Sequence, residues 1–139
     1  MTDAAAMIAR FGLSPHPEGG WYRETWRAQA EPGRRSPGTA ILFLLEQGQR
    51  SRWHRVDADE LWLWHAGAPL NLSIAAADDA PPAPDMLHAM NPQVRVPAGH
   101  WQAAVADAGW ALVSCVVVPG FDFAGFTLAA EEWSPGPPM

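Results

Sequence analysis

The chain has 139 residues and a net charge of −6, from nine arginines, no lysine and fifteen acidic residues, so one domain with a real core is expected and no basic surface offers itself to nucleic acid or an anionic membrane. A single cysteine, Cys115, rules out an internal disulfide and gives no sign of an oxidising compartment. No apolar run approaches the ~20 residues of a membrane helix, and Asp3 with no long apolar core behind it does not make a signal peptide, so a cytoplasmic protein is expected.

Thr2 or Asp3 caps a short helix over residues 3–11, stopped by Gly12, with Met7, Ile8 and Phe11 on its apolar face. From Leu13 to Gly20 two prolines and two glycines exclude regular structure and leave a fixed loop. Trp21 to Arg27 alternates as a strand, with Tyr22, Glu24 and Trp26 on one face and Trp21, Arg23, Thr25 and Arg27 on the other. Both faces mix polar and aromatic groups, which suits a ligand cavity. Residues 28–38 read as an exposed loop, and Thr39 to Glu46 as a buried strand.

Two strands then flank the turn Val56-Asp57-Ala58-Asp59, an arrangement that predicts His54 and Glu60 on the same face. Trp62 shares the parity of Glu60, whereas Trp53 and His65 take the other and are candidates for a subunit interface. Further short strands are expected at 70–75, 86–90, 94–96 and 110–118, with a surface loop at 78–85. Cys115 lies inside the apolar run 111–118 and reads as a packed thiol rather than a nucleophile. The barrel is expected to span about 20–128 within one domain covering 1–139, with a flexible tail at 134–139.

The spacing of Gly48, His54, Glu60 and Gly67 matches the first sequence motif of the cupins, with Val56 standing where that motif has its second histidine. Pro97 and Gly99 match the second motif, in which Gln102 occupies the histidine position. Together with Leu13 to Thr25, Ser51 to Glu60, Trp64 to Gly67 and Pro119 to Phe123, these residues resemble a small family of single-domain cupins first described as a domain of unknown function. The resemblance implies an all-β fold, the double-stranded β-helix or jelly-roll β-barrel, with the short N-terminal helix added. It also implies a homodimer with a central pocket reminiscent of sugar-nucleotide epimerases, but no particular reaction.

Two chemistries suit that pocket. His54, Glu60 and Gln102 would hold a divalent metal through one imidazole, one carboxylate and one amide oxygen, a set weaker than the usual cupin ligands. Without metal, His54 and Glu60 form an acid/base pair, with Tyr22 as the partner acid and with Arg23 or Arg52 binding a carboxylate or phosphate. Glu18 and Trp62 edge the ligand in either case. An isomerase or epimerase acting on a sugar or keto acid is one expectation. A non-catalytic protein that binds a small ligand is the second, and a metal-dependent cupin enzyme with a degenerate metal site is the third.

Overall fold

A computed structural model describes residues 3–137. Helix α1 (Ala4–Phe11) is capped by Asp3, whose side chain accepts a hydrogen bond from the Ala6 amide, and ends at Gly12 in the left-handed conformation. The alternative cap, Thr2, lies outside the described residues. Met7, Ile8 and Phe11 pack on Leu13, Leu44 and Leu112, so the helix lies on the outside of a sheet.

Eleven strands follow: β1 (Ser14–Pro15), β2 (Trp21–Arg27), β3 (Thr39–Leu45), β4 (Arg50–Val56), β5 (Asp59–Gly67), β6 (Leu70–Ala75), β7 (Ala83–Leu87), β8 (Gln93–Val96), β9 (Trp101–Val105), β10 (Ala111–Val118) and β11 (Phe126–Leu128). They form two antiparallel sheets, in the orders β1-β2-β3-β10-β5-β8 and β11-β4-β9-β6-β7. This is the expected all-β jelly-roll barrel. At one end Phe43, Trp62, Leu70, Leu72, Leu87 and Val113 are fully buried between the sheets and close the barrel with a dry core. The other end is left for a cavity.

β4 and β5 are not paired with each other. β4 bonds to β9 and β11, β5 to β10 and β8, and the turn between them carries the chain from one sheet to the other. His54 and Glu60 therefore face each other across the interior rather than along one strand pair. In β2 a bulge at Thr25 shifts the register: Glu24 pairs with Ile41, Trp26 with Ala40 and Arg27 with Thr39. One extra residue reverses the alternation beyond it, so Arg27 turns toward the interior and Trp26 is left 56% exposed outside.

Several sequence expectations need correcting here. Ser14 and Pro15, expected in a loop, pair with Tyr22 and Trp21; a proline is tolerated there because β1 is an edge strand. The strand expected at 86–90 begins earlier, at Ala83, and Pro84 sits on the edge of the second sheet for the same reason. Trp53 does stand on the face opposite His54, but the C-terminal segment covers it there, and it packs with Trp101, Ala129 and Trp133. In the expected tail Pro135 is buried and the Gly136 amide donates to the Asp78 carbonyl, while residues 138 and 139 lie outside the described residues. Among the described residues no helix is long and apolar enough to cross a membrane.

Candidate functional site

The site begins with the loop between β1 and β2. Gly19 and Gly20 both have positive φ, and a Cβ on Gly19 would run into the Arg50 carbonyl. Only glycine lets this loop lie directly on β4, where the Glu18 carbonyl accepts from the Arg52 amide at 2.7 Å. Gly19→Ala is therefore expected to cost about 2 kcal/mol or more in urea denaturation. A loss below about 0.5 kcal/mol would show that the loop does not need this contact.

The docked loop delivers the Glu18 carboxylate to His54. Glu18 Oε2 and His54 Nε2 are 2.9 Å apart, and these side chains are 7% and 2% exposed. His54 owes its inward position to a bulge in β4, where Ser51 pairs with Ala104 but His54 with Gln102. The His54 Nδ1–H donates to the Arg52 carbonyl at 2.7 Å, since a carbonyl oxygen only accepts. Both ring nitrogens are thus committed. Burial alone would push the His54 imidazolium down, but the charge and hydrogen bond of Glu18, helped by Glu60 and the Arg52 carbonyl, carry it up to about 9. Burial likewise raises Glu18, and His54 more than offsets that, so its carboxyl lies below the ordinary value. The two form a buried ion pair at neutral pH.

Across the interior, Glu60 is anchored from behind. The Trp62 indole N–H, which can only donate, bonds to Gln102 Oε1 at 2.7 Å; this turns the Gln102 amide nitrogen toward Glu60 Oε1, at 3.0 Å. Burial pushes Glu60 up to about 7; His54 opposes this, Glu18 adds to it, and the hydrogen bonds from Gln102 and Cys115 hold it back. Burial, with Glu60 and Glu18 nearby, raises the Cys115 thiol well above its usual range and keeps it protonated. His16 accepts the Glu18 amide at Nδ1 and packs edge-on against Tyr22. Burial lowers its pKa more than Glu18 raises it, so its ring is neutral.

These groups line one cavity of about 400 Å³, within the range of small-ligand sites. His16, Glu18, His54, Glu60 and Cys115 lie on its wall together with Tyr22, Ile41, Val56 and Val117, while Arg27, Arg34, Arg35, Glu24, Asp122, Ser36, Thr39 and three phenylalanines complete the lining.

Of the side chains expected at the site, His54, Glu60, Glu18 and Tyr22 line this cavity. Gln102 and Trp62 are buried behind Glu60 and off the cavity wall, as a support rather than a ligand surface. Arg23 and Arg52 are elsewhere. Arg23 reaches the Phe11 carbonyl beside the helix, and Arg52 bonds to the Ala129 carbonyl; both stand on the outward parity of their strands. Glu18, not Glu60, is the carboxylate bonded to His54. His16 and the three arginines were missed, although the glycine pair after Glu18 is a signal that this loop must approach another backbone closely.

The metal expectation can be tested on the donors. Val56 offers none, the Gln102 oxygen is taken by Trp62, and a metal on His54 would have to break either its bond to Glu18 or its bond to Arg52. Among the described residues no three His, Cys, Asp or Glu side chains are grouped to hold a metal ion. As arranged, these residues do not fit one.

The model of a family described as Cupin superfamily (DUF985) matches residues 5–129. A crystal structure of a protein from Shewanella oneidensis is 34% identical, with a TM-score of 0.86 over 94% of this chain and 86% of that one. A hypothetical protein from Leishmania major is 32% identical, with a TM-score of 0.83 over 93% of this chain and 88% of that one. Oxalate decarboxylase from Bacillus subtilis, an enzyme with Mn(II) centres, shares the fold at 16% identity and a TM-score of 0.65, over 82% of this chain and 29% of that one. No curated protein matches.

Proposed function

This chain belongs to the cupin superfamily, in the family described as DUF985, and from that premise we propose that its cavity is the active site of an isomerase- or epimerase-like enzyme moving a proton on a small sugar or keto acid. The observation that carries this reading is Glu60: a buried carboxyl on the cavity wall, held at about 7, with a fixed ion pair facing it. A base with a pKa near the working pH balances its ionised fraction against its driving force.

Tyr22 stands in the register row of Phe43, Val113 and Trp64, three strands across and four residues along from Glu60, about 19 Å between backbones. Both side chains reach the cavity wall, so they approach a ligand from two sides. Glu60 takes the proton from a carbon next to a carbonyl, and the electron pair moves onto the carbonyl oxygen as an enolate. Tyr22 returns a proton to that carbon from the other side. Water then reprotonates the phenolate and removes the Glu60 proton, which closes the cycle. His54 passes no proton, because both of its nitrogens are engaged; its imidazolium charge favours the enolate. No step is routed through a divalent metal, since the Gln102 oxygen and both His54 nitrogens are already engaged.

The test is exchange of carbon-bound hydrogen in deuterated water, followed by NMR across keto acids and sugar acids. Exchange is expected to rise as Glu60 ionises near pH 7 and to fall as His54 loses its proton near pH 9. Glu60→Gln and Tyr22→Phe are each expected to slow it by ~10²-fold or more. Substrates that bind but never exchange would leave a binding protein in place of an enzyme.

A further inference from the structure

We infer that the cavity takes an organic anion, whose carboxylate or phosphate is held at the mouth by Arg34, between Arg27 and Arg35, while its neutral end turns inward to Glu60. The inner end of this inference rests on the proposed function; the mouth stands on its own geometry.

Two of the three guanidinium groups are built into place. Arg27 Nε lies 2.7 Å from Glu24 Oε1, and both terminal nitrogens donate to the Phe121 carbonyl at 3.2 Å. Arg35 donates from Nε to the Gly120 carbonyl at 2.7 Å and forms a two-pronged pair with Asp57 at 2.7 and 3.0 Å. A guanidinium carries five N–H donors, so each of these two keeps a pair of donors to spare in a fixed orientation. Arg34 stands beside them on the lining with no ion pair or side-chain hydrogen bond among the described residues. A planar fork of this kind recognises carboxylate and phosphate oxygens.

Charge sets the direction of the ligand. The chain is acidic overall, with a net charge of −6, and at the mouth Glu24 and Asp57 balance Arg27 and Arg35 while Asp122 also lines the wall, so the unpaired charge that draws an anion is that of Arg34. Deeper in, Glu60 would repel a second carboxylate, while Glu18 is already balanced by His54, which leaves the inner end of the ligand uncharged. Hydrogen-bond register gives the scale. Glu60, Val117, Thr39 and Arg27 form one row across the sheet, about 14 Å from end to end. With the two side chains projecting into that gap, the space matches a keto acid or a sugar acid. The arginine role that the sequence suggested for Arg23 or Arg52 passes to a loop that lines the cavity.

Titration calorimetry with matched pairs tests this: glucuronate and glucose 6-phosphate, each against glucose, and 2-oxopentanoate against 2-pentanone. At least one charged probe is expected to bind about tenfold or more tightly than its neutral twin. That advantage is expected to shrink with added salt, to be lost in Arg34→Gln and to be partly kept in Arg34→Lys. The carboxylate and phosphate arms show which anion is preferred. Neutral twins that bind equally well, an Arg34→Gln variant that binds like the wild type, or no binding by any charged probe would each overturn the inference. The two readings fail separately. Arg34-dependent binding without hydrogen exchange sinks the proton-transfer reading alone, and exchange that is as fast on a neutral twin sinks the anion reading alone.

Discussion

Replacing Glu18 by alanine is expected to cost roughly 3–5 kcal/mol at pH 6, the penalty for breaking a buried ion pair from one side. The pair is almost fully enclosed, and the loop that carries Glu18 is pinned to β4. Without Glu18, burial becomes the dominant influence on His54 and drives its pKa down from about 9. The pH dependence follows with a definite sign. Glu18 lies below its ordinary 4.5 in the folded state, so its stabilisation is present above that value and is lost as pH falls through the folded pKa. His54 is raised from 6.5 to about 9, so its stabilisation is complete below 6.5 and is lost as pH rises toward 9. Urea denaturation across pH 5–10 should show the wild type losing stability along the alkaline limb, and Glu18→Ala without that loss. A variant within about 1 kcal/mol of the wild type at pH 6 would mean that the pair contributes little.

The second large effect has the opposite sign. Glu60 is carried by burial from 4.5 to about 7, so the folded state holds its proton more tightly than the unfolded chain does. Stability therefore falls as pH rises from about 4.5 to 7, and above 7 the whole cost of a buried carboxylate is present. Glu60→Gln removes that cost while keeping an oxygen for the Gln102 amide to bond. It is expected to raise stability at pH 8 by about 2–4 kcal/mol and to flatten the slope between pH 4.5 and 7, in the same variant that loses hydrogen exchange. Stability gained where activity is lost is the signature of a group kept for function at a cost to the fold. A less stable Glu60→Gln protein at pH 8 would show that the carboxylate is instead favourably solvated in the cavity.

Much of this was legible along the chain. The helix over 4–11, most strand positions, and the inward placement of His54 and Glu60 follow from capping, alternation and apolar runs, which depend only on near neighbours. The family follows from glycine and histidine spacing, because the turns that need glycine are local too. Tyr22 was readable as an inward side chain for the same reason. So was the buried Cys115, from the apolar run around it.

The partners of these groups were not legible. That Glu18 rather than Glu60 bonds to His54 depends on a loop folding back onto a strand more than thirty positions away. That Gln102 supports Glu60 rather than reaching a ligand depends on Trp62, since a donor-only indole decides which way the amide turns. That Arg27 faces inward and Arg23 does not depends on one bulged residue, Thr25, which reverses the alternation partway along β2. A sequence with these turns and this apolar pattern determines the barrel and which residues can face its interior, because both are set by short-range geometry. Which of those residues meet, and with what protonation, is decided only when the two sheets close, because hydrogen-bond partners and desolvation come from groups brought together across the fold.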